Sequence, residues 1–194
     1  MTQKIILASS SPRRKQLLEW AEVNFEIKVK PTDESFPKGL HFSKAAEYIA
    51  LQKALAVKAD AVHNEIILAA DTIVVLNGEI IGKPKDEADA ISILSRLQGT
   101  THQVITGVAI LRGEQQIIFS DATEVKFHPL SAEQLIFYVN KYRPFDKAGA
   151  YAIQEWIGVV GIESIQGDFY NVMGLPVSRV VKELEKFKSG SQSI

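Results

Sequence analysis

Leu7-Ala8-Ser9-Ser10-Ser11-Pro12-Arg13-Arg14 joins a strand to a helix, and its reading sets the fold class. Lys4 to Ala8 is a short apolar strand. Ser11 is a good N-cap, and Pro12 at the first helical position already has the backbone angle a helix needs. Arg13 and Arg14 then fall in the first turn, at the positive end of the helix dipole, where each cation costs about 0.3–1 kcal/mol. A bound phosphate reverses that sign, because free N–H groups, the Ser9 and neighbouring hydroxyls and two guanidiniums converge on it. A capped helix with solvated arginines is the plainer alternative.

Outward from this junction, strands and helices alternate with short connections. Arg13–Trp20 is a helix and Phe25–Val29 a strand, followed by an irregular stretch from Lys30 to Leu40 that carries Asp33 and Glu34. Ser43–Lys58 is helical, and Ile66–Leu76 is a strand with Asp71 in its middle. Asn77-Gly78 marks a tight hairpin into Glu79–Ile81. Asp86–Leu97 is an amphipathic helix closed by Gly99. His102–Leu111 and Gln115–Phe127 are two long strands joined at Arg112-Gly113-Glu114. Ser131 and Gln134 form a capping box for a helix to about Lys141. Two further strand-like runs and a Gly/Pro-rich loop precede a last helix, Val177–Lys188. The pattern predicts one α/β unit with a mixed sheet over residues 1–188, and a loose tail over 189–194.

Composition narrows the function classes. The chain has 194 residues, 46% of them apolar, a net charge of −1 and no cysteine. That balance argues against a general nucleic-acid or membrane-surface binder, so a polyanionic ligand needs a local cluster of positive charge. Disulfide and thiolate chemistry are excluded, and no apolar run approaches the length of a membrane span. A cytoplasmic protein is expected. His41, His63, His102 and His128 lack metal-ligand spacing.

Three charged residues sit where packing alone does not put them. Lys53 lies inside the apolar stripe of its helix, among Ala46, Ile49, Ala50, Ala54 and Val57. It either snorkels along its methylene stem or meets an anionic partner, since an unpaired buried charge costs several kcal/mol. Asp71 interrupts an apolar strand and needs a hydrogen bond, a cation or a metal, unless it faces water at an edge. A bend there, opening on a cleft, is one way to supply those partners. Lys83 stands in the rigid loop Gly82-Lys83-Pro84.

Together these segments resemble the Maf-type nucleoside triphosphate pyrophosphatases, from Lys4 to about Leu184. The landmarks are the Leu7–Arg14 junction, Ala69-Ala70-Asp71-Thr72, Gly82-Lys83-Pro84, Asp146-Lys147-Ala148-Gly149-Ala150-Tyr151-Ala152-Ile153-Gln154 and Val172-Met173-Gly174-Leu175-Pro176. The resemblance implies a two-lobed α/β fold. A curved mixed sheet flanked by helices surrounds a central nucleotide cleft, similar to the inosine triphosphatase fold. It implies cleavage of a nucleoside triphosphate to monophosphate and pyrophosphate with Mg²⁺ or Mn²⁺. It makes Asp71 the proton acceptor, with Lys83 beside it in catalysis. By the same resemblance Glu34 and Asp71 are expected as metal ligands, and Ser9, Arg13, Arg14, Lys53, Thr72, Lys147 and Gln154 as substrate-binding residues. The roles of Asp71 and Glu34 can be exchanged. Arg13, Thr72 and Gln154 match the dTTP/UTP branch, where the sister 7-methyl-GTP branch has tryptophan, glutamine and glutamate. Glu155-Trp156 departs from the glycine usual after the glutamine, as Gln98 and Asp168 depart from smaller residues elsewhere. A homodimer is suggested by the resemblance alone. Three alternatives stand beside this reading: a 7-methyl-GTP enzyme, an inosine-type triphosphatase, and a non-catalytic nucleotide-binding regulator of division.

Overall fold

A computed structural model describes residues 4–61 and 65–189; His63 and residues 190–194 of the expected tail lie outside the described residues. The opening junction folds as its chemistry dictates. β1 (Ile5–Leu7) leads into α1 (Pro12–Trp20), whose N-cap Ser11 accepts from the Arg14 amide at 3.5 Å. β2 (Phe25–Ile27) then pairs parallel to β1, Ile5 opposite Phe25. α2 (Phe42–Lys58) crosses to β3 (Ile66–Leu76), which pairs parallel to the other side of β1. A strand flanked by parallel partners is covered on both faces, and Ile5-Ile6-Leu7 is accordingly apolar throughout and buried.

The hairpin turn places Asn77 at φ 51° and Gly78 at φ 80°, the left-handed pair a two-residue turn needs, and returns β4 (Glu79–Ile81) antiparallel to β3. α3 (Glu87–Leu97), β5 (Thr101–Arg112), β6 (Gln115–Phe127) and α4 (Ala132–Tyr142) follow, the last with both halves of the Ser131–Gln134 capping box formed. A 3₁₀ turn (Ala148–Ala150), α5 (Trp156–Gly161), β7 (Ile162–Gln166), α6 (Phe169–Met173) and α7 (Val177–Ser189) complete the chain. The strands form one mixed sheet in the order β2-β1-β3-β5-β6-β7, with β4 beside β3. β3 stays a strand through Asp71.

One expectation fails between Arg143 and the last helix. Two strand-like runs are read there, and only β7 forms. Gly149 at φ 73° and Ala150 at φ 57° turn the chain left-handed and end any extended run. Gly158 then lets α5 fold back on the preceding segment, since a Cβ at this position falls 1.7 Å from the Ile153 carbonyl oxygen.

The chain divides into two compact units. The first contains the chain as far as Asp71, Thr106–Asp121 and the stretch from Gly174; the second contains Thr72–Ile105 and Ala122–Met173. In the first, Ala50, Ala54 and Val57 of α2 pack on Ile6 and Ala8, Ile67 and Ala69, and Ala109 and Leu111. Small residues bring helix and sheet close, and Gly107 stands where they meet. A Cβ added there meets the Ala46 carbonyl carbon at 2.2 Å. In the second unit, α3 packs on α4 and on the 148–150 turn. The rings of His102, Phe127 and Tyr151 pack together, with His102 Nε2 and the Tyr151 hydroxyl 2.7 Å apart. Burial pushes His102 down to about 4 and pushes the Tyr151 phenol up.

Candidate functional site

The first unit brings Lys53, Asp71 and Glu34 together. α2 turns Lys53 toward the sheet with its alanine stripe, and the stem ends on two carboxylates. Nζ lies 2.6 Å from Asp71 Oδ1 and 2.7 Å from Glu34 Oε1. Lys53 and Asp71 are 16% and 14% exposed, Glu34 55%. Of the two readings of Lys53, the anionic partner is therefore the one the fold adopts, and the same contact supplies the cation that mid-strand Asp71 needs. Glu34 comes from the irregular stretch before α2. Beside it, Asp33 accepts from the Ser35 amide and hydroxyl at 2.8 and 2.6 Å, a local turn that shapes the segment. Those bonds from Ser35 hold the Asp33 carboxyl below its usual range.

Arg14 reaches the same region from α1, but its side chain turns inward. Nε donates to the Gly174 carbonyl at 2.8 Å and Nη1 to Ser9 Oγ at 3.1 Å, while Ser9 Oγ also takes the Ser11 amide at 3.3 Å. Burial lowers the Arg14 pKa; the fields of Asp71 and Glu34 oppose that shift, and Arg13 adds to it. Sequence reading groups both guanidiniums on one anion. In the fold Arg14 also fastens the start of α1 to the Gly174 loop, a partner 160 residues away. Arg13, half-buried, is its neighbour at the helix N-terminus.

The second unit carries Thr72, Lys83, Lys147 and Gln154. Thr72 follows Asp71 along β3, so the two side chains leave opposite faces of the strand. Lys83 is exposed on its loop, which is anchored by buried Pro84 and by the Gly149 amide donating to Gly82 O at 3.1 Å. Lys147 is buried, its Nζ 2.7 Å from Asp146 Oδ1 and 3.7 Å from Glu155 Oε1. The Tyr138 hydroxyl donates to Glu155 Oε2 and accepts from the Ala152 amide at 3.1 Å. One buried phenol thus pins both sides of exposed Gln154. Sequence reading missed Tyr138, Asp146 and Glu155 as partners in this network. The signal for Glu155 was the replacement of an expected glycine.

Among the described residues, no three His, Cys, Asp or Glu side chains converge as a metal cage. Two oxygen donors of the first unit, Glu34 and Asp71, already share one cation. Two carboxylates within reach of one point suit a hard divalent ion that completes its shell with water and phosphate oxygens.

A family model described as Maf-like protein matches residues 4–187. The chain belongs to this Maf-like family. It is 53% identical to the dTTP/UTP pyrophosphatase of Cytophaga hutchinsonii over 94% of this chain and 83% of that one. Against the dTTP/UTP pyrophosphatase of Bacteroides thetaiotaomicron it is 46% identical over 94% and 95% of the two chains. Among solved structures, the Staphylococcus aureus Ham1 protein shares the fold, with a TM-score of 0.50 and 17% identity over 98% of this chain and all of that one. Among the described residues, no helix of this Maf-like chain is long and apolar enough to cross a membrane.

Proposed function

We propose that this protein hydrolyses dTTP and UTP to the nucleoside monophosphate and pyrophosphate. The names of its Maf-like relatives support the reaction, and one observation in the fold carries it. Asp71 and Glu34 meet at the Lys53 ammonium, within the field of the Arg14 guanidinium. A triphosphate brings about four negative charges, and cleavage places more on the departing pyrophosphate, so catalysis rests mainly on positioned cations. Lys53 and Arg13 supply charge for the phosphate chain, and Arg14 adds its field while holding Ser9 in place. Lys83 stabilises the leaving pyrophosphate. Glu34 and Asp71 would hold Mg²⁺ or Mn²⁺, which would supply positive charge to offset that of the phosphates.

Asp71 is assigned the proton of the water that attacks the α-phosphorus. It is the better enclosed of the two carboxylates, and the rigid strand β3 fixes its direction; Glu34, more exposed, suits the metal. Lys147 and Thr72 are assigned to substrate binding. Gln154 reads the base. A neutral amide both donates and accepts, which suits the alternating acceptor, donor, acceptor edge of uracil or thymine. The same reading places the enzyme in the cytoplasm with its nucleotide substrates, as a homodimer.

The test is pyrophosphate release from dTTP, UTP, CTP, GTP, ATP and 7-methyl-GTP with Mg²⁺ and with Mn²⁺. dTTP and UTP should be fastest. Gln154→Glu should lower kcat/KM for UTP by about 10–100-fold, because a carboxylate facing carbonyl oxygens loses a hydrogen bond. Preference for 7-methyl-GTP in the unaltered protein refutes the branch assignment.

A further inference from the structure

The place of Lys53 has a consequence for the metal. Its ammonium has two partners, Asp71 Oδ1 at 2.6 Å and Glu34 Oε1 at 2.7 Å, and these are the oxygens the proposed function gives to a divalent ion. We propose that Lys53 is a built-in counter-cation that occupies the metal's place until a triphosphate draws its ammonium away. The inference rests on the pyrophosphatase reading and adds an order of events to it.

Three features support it. First, a divalent ion held by Glu34 and Asp71 and the Lys53 ammonium compete for the same pair of carboxylates. A metal requires carboxylate oxygens at about 2.0–2.6 Å, and an ammonium on the same carboxylates repels a cation of charge two. Second, the lysine is suited to leave. Lys53 shares the face of α2 that carries Ala50, Ala54 and Val57, and a compact charge on a flexible four-carbon chain moves easily. Third, the exchange leaves no charge unpaired. Phosphate oxygens replace carboxylates around the ammonium, and the metal replaces the ammonium between the carboxylates, so each group keeps a charged partner. In the resting protein the lysine also prevents Glu34 and Asp71 from facing each other as bare like charges. Metal and nucleotide are therefore expected to bind together, each helping the other.

The test is a titration of Mn²⁺ into nucleotide-free protein, followed by loss of the free-ion signal in electron paramagnetic resonance. Lys53→Met keeps the apolar stem and removes the ammonium. It should bind one Mn²⁺ about tenfold or more tightly than the unaltered protein. Adding Glu34→Gln or Asp71→Asn to that variant should abolish the gain. A non-hydrolysable UTP analogue should tighten Mn²⁺ binding to the unaltered protein and much less to Lys53→Met. If Lys53→Met fails to fold by circular dichroism, Lys53→Gln serves, since it is neutral and retains polarity. Equal or weaker Mn²⁺ binding by the folded neutral variant overturns the proposal. Failure of the unaltered protein to release pyrophosphate overturns the catalytic reading instead, and the Mn²⁺ comparison separates the two.

Discussion

Gly107→Ala puts one methyl group where β5 meets α2. The new Cβ lies 2.2 Å from the Ala46 carbonyl carbon, 2.3 Å from its oxygen and 2.4 Å from the Glu47 nitrogen. All three are backbone atoms, so no rotamer change relieves the clash. Reaching an ordinary contact of at least 3.4 Å requires the helix or strand to move by more than 1 Å. That movement opens the layer formed by Ala8, Ala50, Ala54, Ala69 and Ala109, which is already filled by small residues. Overpacking a core costs about 1–3 kcal/mol when side chains can share the strain. Here they cannot, and a loss of about 3 kcal/mol or more is expected, a large part of the ~5–15 kcal/mol that holds a domain folded. Lys53 stands two helical turns beyond Ala46 on the same face, so the displacement also stretches its contact with Asp71. Urea unfolding followed by far-UV circular dichroism measures the effect as a lower midpoint at unchanged slope. Gly82→Ala is the control: its Cβ meets nothing within 4 Å, and the change should stay within about 0.5 kcal/mol. A loss below 1 kcal/mol for Gly107→Ala refutes the close packing of α2 on β5.

Two further perturbations test other parts of the fold. Arg14→Lys replaces a forked donor with a single point of charge that does not serve both Gly174 O and Ser9 Oγ. Losing one of these hydrogen bonds from a charged group should cost about 1.5–3 kcal/mol, seen as a lower Tm, and an unchanged Tm contradicts the role given to this side chain. His102 is held neutral by burial, with its pKa pushed down to about 4 from 6.5. Between those pH values the unfolded chain binds more protons than the fold, so stability is lost on acidification, about 2 kcal/mol of it by pH 5. His102→Phe removes that contribution. Its deficit relative to the unaltered protein should shrink between pH 7.5 and 5; parallel pH dependence of the two contradicts the assignment.

Much of this was legible because the signals are local. Ser11-Pro12 caps α1, Asn77-Gly78 makes the hairpin, and Ser131 with Gln134 starts α4, each within a few residues. Lys53 and Asp71 were visible as charges inside apolar patterns, and their pairing follows from the cost of leaving either alone. What escaped depends on distant partners or on segments too short to show a period. Arg14 turns inward because a carbonyl at Gly174 awaits it. The Tyr138–Glu155–Lys147 network joins α4 to the segment after it, and no spacing announces it. The 148–150 turn and α5 are short segments whose course is set by left-handed residues and by Gly158, so their apolar content read as strand.

The central claim is that water attacks the α-phosphorus with Asp71 taking its proton, and hydrolysis of UTP in ¹⁸O-labelled water tests it most directly. The account predicts one label in UMP, none in pyrophosphate, equal amounts of the two products, and a fall in turnover of about 10²–10⁴ in Asp71→Asn with nucleotide still bound. Label in the released pyrophosphate, orthophosphate as the product, or near-normal turnover by Asp71→Asn contradicts it.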